Sequence, residues 1–156
     1  MDVGLRWFQF KVLQRILYTN DILFKMNSVP KKEVTFCNEQ IETVIHLLCD
    51  CTYVKPIWDK LENWISTGTR NVIKFSLQDK LFGLRGSNNY ALNCILIVVR
   101  QMIYNCKIKK QLPVFENIKI SIVKYFKNEK YIAESNCRTN KFFRKWFQFR
   151  DLFIRR

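Results

Sequence analysis

The chain has 156 residues, 48% of them hydrophobic, with 13 phenylalanines, four glycines, three prolines and a formal net charge of +14. A chain of this length buries roughly two thirds or more of its unfolded surface and builds a core without disulfides, and its shortage of turn residues argues for helices over a many-stranded β fold. The longest apolar run, Cys94 to Val99, is closed by Arg100 and falls far short of the roughly 18 residues of a membrane span; with six cysteines and no basic start followed by an apolar stretch in the first 30 residues, reduced thiols in an intracellular protein, nuclear or cytoplasmic, are expected.

Leu5, Phe8, Val12 and Ile16 follow helical spacing and predict a first helix ending near Tyr18. Thr19-Asn20-Asp21 offers capping side chains to a short second helix through Ile22, Leu23 and Met26. Asn27 to Glu33 reads as a loop, Thr35 to Cys37 as extended, and Glu42 to Leu48 as one or two helical turns. Thr52 caps the next helix, with Pro56 tolerable in its first turn and a stripe of Val54, Ile57, Trp58, Leu61 and Ile65. Ser66 to Asn71 is polar and contains Gly68, marking a boundary between residues 1–67 and 68–156. A long helix follows from about Asn89 to Lys109, then a second after Pro113 through Phe115, Ile118, Ile122, Tyr125 and Phe126. Residues 135–138 break the pattern before a tail in which Phe142, Trp146, Phe149 and Phe153 recur every three or four residues. The expectation is an all-α protein, an irregular bundle of six to eight helices.

Charge is distributed unevenly. Residues 1–69 carry eight Lys/Arg and eight Asp/Glu, while residues 70–156 carry nineteen and five, so the excess of +14 lies in the second part. Such asymmetry favours a polyanion or an anionic surface as partner; the alternative is a set of solvated helix faces loaded with lysine. The segment 138–156 interleaves seven Lys/Arg with six aromatic rings, a combination that can hold phosphates while stacking bases. The same pattern describes an amphipathic helix docking on its own domain, on a partner, or on anionic lipid. Lys107, Lys109, Lys110, Lys141, Arg144, Lys145, Trp146 and Arg150 are the candidate nucleic-acid contacts, although the cations at 107–110 also suit a helix C-terminus.

The densest chemistry lies at Cys37, His46 and Cys51, spaced C-x8-H-x4-C around the only histidine. Thiolate and imidazole are the usual ligands of tetrahedral zinc, and a structural site wants four. Three residues before Cys37, where a C-x2-C pair would begin, stands Val34. Cys49 lies three residues after His46, on the same face of an α-helix, and is a candidate fourth ligand or a small buried apolar residue; Asp50 is a further candidate.

Together these residues resemble the zinc-binding region that follows the reverse transcriptase in LINE-type non-LTR retrotransposon proteins. The resemblance rests on Arg15-Ile16-Leu17-Tyr18-Thr19-Asn20, the apolar helix at 21–26, the turn at 34–37, Glu42-Thr43-Val44-Ile45-His46-Leu47, Cys51 and Trp58. It covers about residues 5–65, and the remainder resembles the helical extension of some members. It implies zinc held by Cys37, His46 and Cys51, with Val34 departing from the first ligand, and a part in gripping template RNA or target DNA. Catalysis is not expected: there is no second histidine, no Asp-Asp dipeptide for a polymerase aspartate pair, and no phosphate-cradling glycine loop. Two functions remain open, a zinc-knuckle-like module that binds RNA or DNA and a structural or protein-interaction domain, such as a decayed mobile-element fragment.

Overall fold

The computed structural model describes residues 2–154. Among these, eight α-helices follow one another: α1 (Val3–Leu13), α2 (Asn20–Lys25), α3 (Lys55–Thr69), α4 (Leu77–Phe82), α5 (Tyr90–Ile108), α6 (Phe115–Ser135), α7 (Thr139–Trp146) and α8 (Arg150–Ile154). A π turn, His46–Asp50, lies between α2 and α3, and the one described β pairing is the antiparallel bridge Glu33–Ile41. The protein is all-α.

Several helix limits follow from local chemistry. The Asp2 carboxylate caps α1 by accepting from the amides of Gly4 (2.8 Å) and Leu5 (3.2 Å), which satisfies donors left over in the first turn. Ser76 and Asp79 form a reciprocal capping box on α4. Helix α1 stops at Leu13 rather than near Tyr18, because Arg15 takes a left-handed backbone (φ 57°). The Ile16 amide then reaches back to Lys11 O and the Arg15 amide to Val12 O, the Schellman closure. The same closure ends α2 at Asn27, α5 at Lys110 and α6 at Cys137, each with positive φ. A glycine-poor chain therefore turns on ordinary residues, each bearing the left-handed strain that glycine would avoid.

Buried side chains form one cluster running from Leu5 to Leu152. Helix α3 contributes Ile57, Trp58, Leu61 and Ile65, with Val54 just before it; each large apolar side chain removed from water stabilises by about 1.5–3 kcal/mol. Trp58 also donates its indole N–H to Leu48 O at 2.8 Å, fixing α3 to the π turn. Helix α5 is the central element. It has the length and apolar content of a membrane span, yet it is mostly buried within the protein and carries Arg100, which donates to Lys80 O (2.8 Å) and Gln9 Oε1 (2.6 Å) and so ties α1, α4 and α5 together.

The polar stretch at 66–71 ends α3 without separating two cores. A side chain added at Gly68 would collide with Leu152 of α8, so the end of the chain lies against the first part of it. The stripe Phe142, Trp146 and Phe149 is buried. Phe126 stacks on Phe153 (4.0 Å between centroids, 5° between planes), and Trp64 meets Phe153 edge-on at 6.1 Å. The aromatic tail thus docks on its own domain.

Candidate metal centre and basic aromatic face

The segment 32–42 folds back on itself. Val34 N donates to Gln40 O and Glu42 N to Lys32 O, both at 2.8 Å, and the left-handed Asn38 (φ 54°) turns the tip. Cys37 sits at that tip. Glu42, with no exposed surface, holds the loop from beneath. Its carboxylate accepts from Asn20 N (2.8 Å), Thr35 N (3.0 Å) and Thr35 Oγ1 (3.2 Å). The Asn20 amide side chain donates to Glu33 O at 2.7 Å, and Thr43 Oγ1 accepts from His46 N at 3.1 Å. The polar residues flanking the Cys-His pattern are therefore the frame that positions it.

His46 and Cys51 come from the π turn, closed by Cys51 N donating to His46 O, five residues back, at 2.9 Å. On an ordinary α-helix residues five apart stand about 140° from each other; the wider π turn brings them toward one side. One donor atom from each of Cys37, His46 and Cys51 falls within 4.8 Å of the other two. Cys37 Sγ lies 3.5 Å from His46 Nε2. His46 and Cys51 are buried and Cys37 half-buried. Burial pushes the Cys51 thiol above its ordinary pKa, with the nearby Cys37 sulfur adding to the shift. These three side chains could hold a metal ion.

Cys49 is not part of this group. The π turn removes the α-helical register that would have set it beside His46, and Cys49 is buried in the core. Burial pushes its thiol up to about 12, opposed by Lys80 and Arg100. Val34 is fully buried, and no other described Cys, His, Asp or Glu, Asp50 included, joins the three donors.

The nucleic-acid candidates divide into two sets. Lys107, 5% exposed, lies inside the protein, where it pairs with Glu42 Oε1 at 3.1 Å and donates to Tyr18 O at 2.6 Å. Trp146 is buried with its indole N–H on Glu129 Oε2 at 3.2 Å. Neither offers a surface to a ligand, which corrects the expectation for both. Lys109, Lys110, Lys141, Arg144 and Arg150 are exposed and Lys145 half-exposed. Lys145 Nζ sits 3.7 Å from the centre of the Tyr90 ring, and the Arg150 guanidinium 4.5 Å from that of Phe147.

Three adjoining grooves follow α7. The first, about 590 Å³, includes Tyr90, Lys124, Asn128, Arg138, Lys141 and Lys145 in its lining. The second shares Tyr90, Lys141 and Lys145 and adds Arg144 and Phe147; the third is formed by Asn140, Phe143, Arg144 and Phe147. Phe143 and Phe147 were not singled out from the sequence, because the strong period of Phe142, Trp146 and Phe149 marks the opposite, inward face. Their signal was the leftover one, two rings spaced i, i+4 between cations. No protein-family model matches the chain, and no curated protein matches it either.

Proposed function

We propose that this protein is a noncatalytic nucleic-acid-binding module of the kind found behind retrotransposon reverse transcriptases, with a zinc-knuckle-like turn bracing one end and a basic aromatic face gripping RNA or DNA. The observation that carries the reading is the continuity of the band along α7, where Lys124, Arg138, Lys141, Arg144 and Lys145 line adjoining grooves. No described carboxylate forms an ion pair with Lys124, Lys141 or Arg144, so these cations are available to phosphates.

The metal is zinc in this reading. Legs of about 2.3 Å to sulfur and 2.0–2.1 Å to nitrogen give a tetrahedron whose S–N edge is about 3.5 Å, the separation of Cys37 Sγ and His46 Nε2. Cys37, His46 and Cys51 would be its protein ligands, and water completes the set where Val34 supplies none. The zinc would brace the loop at 34–42 against the π turn and contact no substrate.

Binding should weaken steeply with salt, because neutralised phosphates release counterions. With about five phosphates neutralised, the slope of log K against log salt is expected near −3.5 for a single strand. Fluorescence anisotropy of a labelled oligonucleotide between 50 and 300 mM salt measures it, and a flat line or no binding at the lowest salt would remove the proposal. A second reading, a protein-interaction domain, draws on α1, where Val3, Trp7, Phe10 and Leu13 are exposed.

A further inference from the structure

We infer that the α7 face takes single-stranded nucleic acid, with unpaired bases stacked on Phe143 and Phe147 and one base seated in the groove between α5, α6 and α7. The inference rests on the nucleic-acid reading above and narrows it.

A face that only met a duplex would need cations and no exposed rings, since paired bases hide their faces within the stack. Here Phe143 is 52% and Phe147 62% exposed, and they flank Arg144 in one shallow groove. Rings left in water between cations form the platform that single strands use, where every base has a face to stack and affinity does not depend on sequence. Four residues along a helical path separate the two rings, a rise of about 6 Å, enough to seat neighbouring bases that have been splayed apart.

The larger groove supplies the second argument. At about 590 Å³ it falls within the range of small-ligand sites and accommodates one nucleotide. Tyr90, with Lys145 over its ring, lines it beside Gln101 and Asn128, whose amides can meet a base edge, and Lys141 and Lys145 stand at the rim shared with the next groove. The two carboxylates in its lining are already engaged: Asp2 caps α1, and Glu129 accepts from the Tyr90 hydroxyl at 2.6 Å and from Trp146. The oxygens that accept these bonds are oriented by internal donors, and the exposed cations Lys124, Arg138 and Lys141 outnumber the two carboxylates in the lining. Anionic lipid would suit rings and lysines equally, but it has no use for amides placed to meet a base edge.

The test compares a labelled 12-nucleotide single strand, a hairpin duplex of the same sequence and vesicles of anionic lipid, using the full chain. The single strand should bind about tenfold or more tightly than the duplex. Phe143→Ala with Phe147→Ala should weaken the single strand about tenfold or more while leaving the duplex within about twofold, and circular dichroism checks that this surface variant is folded. Lys141→Gln, a milder change, should weaken both nucleic acids and lower the salt slope by about one. Equal binding of strand and duplex, or indifference to loss of the rings, overturns the single-strand inference and leaves nucleic-acid binding standing. Vesicle binding without strand binding, or no binding to any probe, overturns both.

Discussion

Replacing Lys107 by methionine is expected to destabilise the protein by about 3–5 kcal/mol, the cost of leaving a buried charge without its partner. Glu42 is fully buried and Lys107 nearly so, at 3.1 Å from each other. Methionine would fill much of the space but leave the Glu42 carboxylate in the interior with only the donors from Asn20 and Thr35. Tyr18 O would lose its 2.6 Å donor as well, keeping only the longer bond from the Tyr104 hydroxyl at 3.3 Å. Against a typical total of about 5–15 kcal/mol, much of the folded population is at stake. Lys109→Met, two residues away and exposed, should change stability by less than about 0.5 kcal/mol. Urea unfolding of the two variants side by side measures the difference, and equal midpoints would contradict the buried pairing. Adding Glu42→Gln to Lys107→Met should recover part of the loss, because the orphaned charge goes with it.

The second large effect concerns the metal. Val34→Cys should tighten zinc binding by more than the roughly 10- to 100-fold that changes behind a metal's direct ligands produce, because it adds a thiolate where the resemblance places the first ligand. The change removes little volume and leaves the backbone bonds of residue 34, to Gln40 O and from Asn38 N, in place. Cys37→Ser should lose the metal, and because metal binding is coupled to folding, zinc should raise the thermal midpoint of the native chain and not that of the serine variant. Competition with a chromophoric chelator reads the affinities. Unchanged affinity in Val34→Cys would deny that position 34 can supply a ligand, and full zinc binding by Cys37→Ser would deny the site itself.

Much of this architecture was legible in the residues. The stripe Val54, Ile57, Trp58, Leu61 and Ile65 announced α3 and its buried side, and the grouping of Cys37, His46 and Cys51 followed from spacing and resemblance together. What escaped has a common physical cause: periodicity reports where a side chain goes only while the backbone is regular. The π turn moved Cys49 away from His46 by widening one helical turn. Arg15 ended α1 early through a left-handed backbone that an arginine does not advertise. Lys107 looked like part of a surface cluster because its partner, Glu42, lies 65 residues earlier in the chain, and long-range ion pairs leave no local pattern. Trp146 went inward with the apolar stripe, and the rings left facing solvent were the weaker-patterned Phe143 and Phe147.

The most direct measurement is to crosslink a photoreactive oligonucleotide to the native protein in low salt and identify the modified peptides. The account predicts modification concentrated between Arg138 and Arg150, with Tyr90 as the outlying site, and its loss as salt rises. Crosslinks confined to α1 or to the loop at 34–42, or none at all in a folded protein, would contradict it.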